Sequence, residues 1–266
     1  VIGGIIGDVV GSVFEHKGSK VYDFPLFKTD DVFKNTYTDD SILTVATAET
    51  LLIGGDYATL YKSYARKYPN RGYGSAFQEW VKADTIEPIN SYGNGCAMRV
   101  GPVGWAFESP DAVMKEAEIS AHTTHGHPEG IKGAQAIALA VYLARIKLPK
   151  EEIRDILMKT FDYDLNRTCS QIRPFYKFSS ACQTSVPEAI IAFLDGRNYE
   201  DTIRLAISLG GDTDTQACMS GFIAQAYYNE IPKRMALPAI KMLPKDFLRI
   251  IRDFNKKYNI HTRVIE

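Results

Sequence analysis

The sequence predicts an all-α fold, and three observations carry that prediction. Apolar residues recur at helical spacing through most of the chain. Glycine and proline stand where those runs should stop or start, and alternating strand patterns are nearly absent. With no repeats, no low-complexity tract and no long Pro/Gly/Ser linker, residues 1–266 read as one domain.

Taken in order, Gly3, Gly7 and Gly11 fall four residues apart and line one face of a helix, which lets another backbone approach closely. Glu15 lies one turn further along that face. Residues 20–27 are the best strand candidate. Over 40–53, Ile42, Leu43, Val45, Ala46, Leu51 and Leu52 repeat at helical spacing and stop at Gly54-Gly55. An amphipathic pattern follows over 56–68. Residues 69–104 are loop-rich, and loops of that length in a helical domain are usually functional. Helical patterns resume over 111–121, 131–146 and 150–160; the second is apolar on most faces, which predicts a central, buried helix. Ser185 is placed to cap a helix over 186–194, with Pro187 in its first turn and Gly196 beyond its end. Residues 200–209 and 215–229 form two more helices separated by Gly210-Gly211, and patterns over 234–243 and 245–257 complete the set.

Composition bounds the function. Hydrophobic content of 45% and charged content of 24% are those of an ordinary globular protein. The formal charge is −1 and the basic residues are scattered, so a nucleic-acid partner has no electrostatic footprint. No apolar stretch reaches the roughly 20 residues a membrane helix needs. The start, Val1-Ile2-Gly3-Gly4, lacks a signal-peptide pattern. Cys96, Cys169, Cys182 and Cys218 have no CxxC spacing, so four free thiols in a reducing cytoplasm are expected. Nothing in the sequence fixes an oligomeric state, and a monomer is the expected one.

The most informative feature is a pair of acidic clusters, Thr38-Asp39-Asp40 and Asp212-Thr213-Asp214-Thr215, each at the start of a helical pattern. Neighbouring carboxylates repel and raise one another's pKa, so such clusters normally hold a cation. All-oxygen ligands suit Mg²⁺, Mn²⁺ or Ca²⁺ rather than zinc. Taken singly, the first cluster reads as a helix cap, whereas the second is harder to dismiss, a solvated acidic turn being its alternative. Together, with hydroxyls and no basic neighbours, they favour one hard-metal site assembled from both ends of the fold, with enough oxygen donors for two ions. Other patterns do not fit: counting from Asp212, an EF-hand would need glycine where Ala217 stands, and a phosphatase motif a β-branched residue where Gln216 stands. No Glu-x-x-His pair of a di-iron bundle occurs.

Two further constellations join these. Ser91-Tyr92-Gly93-Asn94-Gly95 is a glycine turn whose N–H groups could hold phosphate, with Tyr92 available to stack on a base. His122, His125 and His127 lie close together before Pro128; they lack the partners of a known zinc pattern, and a core histidine or a phosphate contact are the alternatives.

Five segments, GDVVGSVFE (7–15), YTDDSILTVATAETLL (37–52), NSYGNGCAMRVGPVG (90–104), SAHTTHGHPEGIKGAQA (120–136) and SLGGDTDTQACMSGFIAQAYY (208–228), resemble the ADP-ribosylglycohydrolase family in order and spacing. That family includes the dinitrogenase reductase-activating glycohydrolases. The resemblance implies an orthogonal helical bundle with a binuclear Mg²⁺ or Mn²⁺ site at its centre. It implies that Thr38, Asp39, Asp40, Asp212, Asp214 and Thr215 are metal ligands. Glu15 would be a catalytic carboxylate or switching ligand beside them, with Asp39 and Asp212 also serving the chemistry. Ser91, Tyr92, Gly93, Asn94 and Gly95 would hold ADP-ribose, and His125 would approach its phosphates. The implied reaction is hydrolysis at C1″ of an ADP-ribosylated protein or small molecule. The family's arginine-specific members carry one more acidic residue before the GNG segment; here Asp84 and Glu87 are the acids available. A non-catalytic ADP-ribose-binding protein and a metal-dependent nucleotide phosphohydrolase are the alternative readings.

Overall fold

The computed structural model describes residues 1–28, 34–85 and 87–266. Along the described chain run helices α1 (Ile2–Gly11), α2 (Asp39–Ile53), α3 (Tyr57–Lys67), α4 (Ser75–Lys82), α5 (Val103–Ala106), α6 (Pro110–His122) and α7 (Pro128–Arg145). They continue as α8 (Lys150–Phe161), α9 (Cys169–Ile172), α10 (Cys182–Asp195), α11 (Tyr199–Ser208) and α12 (Thr213–Tyr228). A short strand β1 (Glu230–Pro232), α13 (Lys233–Met242), α14 (Lys245–Lys257) and β2 (Arg263–Ile265) end the chain. The all-α expectation holds.

Helix α12 is the hub. After Asp214 it carries no charged side chain and is buried continuously from Thr213 to Ala226, which a helix can be only at the centre of a bundle. Helices α1, α7, α10 and α11 pack around it, α1 most extensively. The expected buried helix, α7, is likewise enclosed along most of its length. The α1–α12 approach depends on the glycine stripe. A Cβ added at Gly7 would sit 2.1 Å from the Ala217 carbonyl oxygen, and one at Gly11 would sit 2.6 Å from Asp214 Cα. Gly221 answers from α12 against the Gly3 carbonyl. Thr213 Oγ1 then donates to the Gly11 carbonyl (3.0 Å), tying the start of α12 to the end of α1.

Three local expectations change. Residues 20–27 form no strand: side chains take the place of a ladder, Arg204 donating to the Phe24 carbonyl (2.8 Å) and Asn35 to the Leu26 carbonyl (3.2 Å). Helix α10 begins at Cys182, so Ser185 lies inside it, donating to the Ala181 carbonyl (2.8 Å), and Pro187 is internal rather than first-turn. The bond Pro187 cannot make falls on solvent-exposed Gln183, where water can replace it. The loop-rich stretch 69–104 contains α4, a 3₁₀ turn over Asn94–Cys96 and α5. Lys62 organises that stretch, its ammonium donating to the carbonyls of Trp80 (2.7 Å), Ala83 (2.7 Å) and Thr85 (2.6 Å). The parallel pairing of β1 with β2 was not expected, since three-residue strands leave no periodic signal. The four cysteines are free and buried. No helix among the described residues is long and apolar enough to cross a membrane.

Candidate active site

The two acidic clusters meet. Thr38 caps α2, its Oγ1 accepting from the Asp40 amide (3.3 Å), so Asp39 and Asp40 sit in that helix's first turn. The capping reading is therefore realised, but the cap is only part of what the segment does. Asp212 occupies the N-cap position of α12 without making a side-chain cap, and Asp214 lies in the first turn. The two helix N-termini converge, with Thr215 Oγ1 donating to Asp40 Oδ2 at 3.3 Å. Their partial positive charge offsets a fraction of the acidic repulsion.

A carboxylate that the sequence reading passed over completes the cluster. Asp8 on α1 is fully buried and accepts from the Thr38 amide (3.0 Å), Thr38 Oγ1 (2.8 Å), the Ser41 amide (3.1 Å) and the Ser41 hydroxyl. It thereby pins the start of α2 against α1. The signal was available: a lone carboxylate in the apolar run Ile5–Val10 needs buried partners. Two groups of carboxylates result, Asp8/Asp40/Asp214 and Glu15/Asp212/Asp214, with ligand atoms in each within 4.8 Å of one another. Asp214 belongs to both.

Electrostatics show what such a cluster demands. Burial, partly offset by the hydrogen bonds from Ser41 and Thr38, pushes the Asp8 carboxyl up to about 6. Burial and the charge of their acidic neighbours hold Asp39, Asp40 and Asp214 well above the usual carboxylate range. Glu15 is raised by burial and by Asp212, and its Oε1 lies 3.1 Å from His16 Nε2. A divalent cation reverses this preference by stabilising every ionised carboxylate at once. The residues fit one: Asp40 Oδ1 is buried with no hydrogen-bond partner among the described residues, and the donor set is entirely oxygen.

Above the cluster opens a cleft of about 410 Å³. Glu15, Asp39, Asp40, Ser91, Gly93, Asn94, Gly95, His125, Asp212, Asp214 and Thr215 line it, together with Arg99, Thr124, Phe178 and Ser180, which the sequence reading did not single out. Asn94 joins the glycine turn to the acids, its Nδ2 donating to Asp212 Oδ2 at 2.9 Å. Two of the turn's N–H groups are already committed, that of Gly93 to Ser91 Oγ (3.1 Å) and that of Asn94 to the Ser180 carbonyl (2.7 Å). Tyr92 and Thr38 do not line the main cleft. Tyr92 is 54% exposed and borders an adjoining shallow lobe with Phe178 and Ser180; Thr38 is buried behind Asp40. Phe178 packs against His16 with the rings tilted (centroids 4.7 Å apart) at the cleft edge. Neither Asp84 nor Glu87 lines the cleft, and both are exposed. His122 and His127 lie apart from His125's position on the cleft: His127 caps α7, its Nδ1 accepting from the Glu129 amide (3.1 Å), and His122 ends α6.

Comparison with known proteins identifies relatives of the whole chain. A family model described as ADP-ribosylglycohydrolase matches residues 1–258. The chain is 30% identical over 307 residues to the ADP-ribosylhydrolase ARH3 of Gallus gallus, with 86% of this chain and 84% of that protein covered. It is 23% identical over 261 residues to the ADP-ribosylarginine hydrolase Tri1 of Pseudomonas putida, with 86% and 69% covered. A solved ADP-ribosylglycohydrolase-related protein complex shares the fold at a TM-score of 0.63 and 23% identity, covering 98% of this chain and 95% of that one.

Proposed function

The chain belongs to the ADP-ribosylglycohydrolase family, and from that premise we propose that it is a metal-dependent hydrolase releasing ADP-ribose from an ADP-ribosylated protein or small molecule. The observation that carries this reading is the pair of carboxylate groups sharing Asp214, joined through Asn94 to the glycine turn. Such an arrangement supports a dication site next to a nucleotide-sized cleft. We assign the site two Mg²⁺ or Mn²⁺ ions, held by Thr38, Asp39, Asp40, Asp212, Asp214 and Thr215, with Asp8 and Glu15 adjoining. When bound, the ions supply Lewis-acid polarisation and fix the ribose hydroxyls. We read residues 1–266 as one domain, a reading supported by a site that draws on residues from Asp8 to Thr215.

The chain's own groups divide the remaining work. The reaction is attack of water on C1″ of the distal ribose through an oxocarbenium-like transition state. Glu15 stands on the cleft wall beside Asp212 and Asp214, placed to take a proton from water and return one to the leaving group. Asp212 is oriented by Asn94, and Asp39 faces the cleft beside Gly72. Ser91, Tyr92, Gly93, Asn94 and Gly95 seat the ADP-ribose, with His125 at its phosphates.

The test is a panel of ADP-ribosyl linkages, to arginine, serine, acetate and others, incubated with metal-loaded protein and followed by mass spectrometry. Free ADP-ribose is the expected product, absent with EDTA and absent for Asp212→Ala and Asp39→Ala. Full activity after metal removal would sink the model. AMP plus ribose phosphate would identify a phosphohydrolase, and binding without turnover a non-catalytic reader.

A further inference from the structure

Beneath the glycine turn, a chain of hydrogen bonds runs from Arg99 through Thr124 to His125, and the reaction above leaves it unexplained. Arg99 is fully buried, its guanidinium 4.0 Å from the centre of the Tyr61 ring, and its Nε and Nη1 have no hydrogen-bond partner among the described residues. Its Nη2 donates to Thr124 Oγ1 at 2.7 Å. A guanidinium can only donate, so the Thr124 oxygen accepts. A second lone pair stays open on that oxygen, but among the described residues the only acceptor within reach of the one hydroxyl hydrogen is His125 Nδ1, 2.7 Å away, so a satisfied buried hydroxyl donates to it. A ring that accepts at Nδ1 carries its proton on Nε2.

That Nε2 faces the turn. A Cβ built on Gly95 would lie 3.2 Å from it and one on Gly93 would lie 3.6 Å away, so the two glycines keep the nitrogen uncovered toward the cleft. We propose that Thr124, oriented by Arg99, is a positioning residue that fixes His125 as its neutral Nε2–H tautomer, so the cleft presents a hydrogen-bond donor to the phosphates of ADP-ribose. The ligand in this statement rests on the function proposed above; the tautomer does not. Burial and the Arg99 charge both push the His125 pKa well down, which keeps the ring neutral and leaves the placement of its one proton decisive. The opposite tautomer would aim a lone pair at an anion. A donor here also supplements a turn that spends two of its N–H groups internally.

Imidazole ¹⁵N spectroscopy of the full chain tests this without any turnover. The expected wild-type spectrum has a protonated, pyrrole-type Nε2 and an unprotonated, pyridine-type Nδ1 for His125. Thr124→Val should mix the tautomers, raise the KM for the ADP-ribosylated substrate about tenfold with kcat within about twofold, and weaken ADP-ribose binding to the same extent. Thr124→Ser, which keeps the hydroxyl, should restore both spectrum and KM. A wild-type proton on Nδ1, or a Thr124→Val protein with unchanged tautomer and KM, overturns the proposal. If no substrate in the panel is hydrolysed, the spectrum still decides the tautomer, so the two readings fail separately.

Discussion

Gly7→Ala tests how the site is assembled. A Cβ at this position would lie 2.1 Å from the Ala217 oxygen and 2.5 Å from its carbonyl carbon, where ordinary contact starts at 3.4 Å. Both atoms belong to the backbone of α12, so no rotamer relieves the clash and the helices must separate by about 1 Å. Overpacking of this kind costs about 1–3 kcal/mol. Alanine returns about 1 kcal/mol of helix propensity over glycine. The net loss of up to about 2 kcal/mol lowers the melting temperature by up to roughly 8 °C in a chain of this size. Function suffers more, because Asp8 rides with α1 and Glu15 with the turn that follows it, while Asp212 and Asp214 ride with α12. Displacing reacting groups by about 1 Å costs on the order of 10²-fold in rate. Melting curves and hydrolysis at saturating Mn²⁺ measure both effects. Gly74→Ala, where an added Cβ meets nothing within 4 Å, is the comparison for stability. A Gly7→Ala protein with wild-type melting and wild-type turnover would refute the claim that glycine contact sets the distance between the carboxylates.

Three more outcomes are expected. In metal-stripped protein, Asp8 is pushed from 3.8 up to about 6, so the native state holds a proton that the unfolded chain has lost. Stability should therefore fall as pH rises from about 4 to about 6, by about 3 kcal/mol relative to Asp8→Asn; urea unfolding reads this, and parallel pH profiles would contradict it. Lys62→Met orphans three carbonyls around α4 and should cost about 3 kcal/mol in thermal unfolding, whereas a loss under about 0.5 kcal/mol would remove Lys62 as the organiser of that loop. Tyr92→Ala should weaken ADP-ribose binding by about 10- to 100-fold in calorimetry, as loss of one base–aromatic stack does; unchanged affinity would place the base elsewhere.

Helices were legible wherever apolar spacing was long and regular, as over 40–53 and 215–229, because a buried helical face leaves that period in the sequence. Residues 20–27 misled because their carbonyls are met by Arg204 and Asn35 side chains, which no local pattern encodes. Ser185 and Pro187 resemble a helix start, yet α10 gains an earlier turn at Cys182, whose amide donates to the Tyr92 carbonyl of the glycine turn (2.9 Å). That contact spans ninety positions of sequence and leaves no trace in either segment alone.

By itself, then, the sequence determined the all-α class, the two acid-bearing helix starts and the glycine turn, since capping, periodicity and turn chemistry act over a few residues. Tertiary structure alone decided that Asp8 joins Asp40 and Asp214, that Asn94 grips Asp212, and that Arg99 reaches His125 through Thr124. Those groups meet only because the glycine stripe of α1 lets its backbone touch that of α12, and because a buried Asp8 docks the first turn of α2. Buried polar atoms must find partners, and which partners they find is settled by packing between segments far apart in the chain.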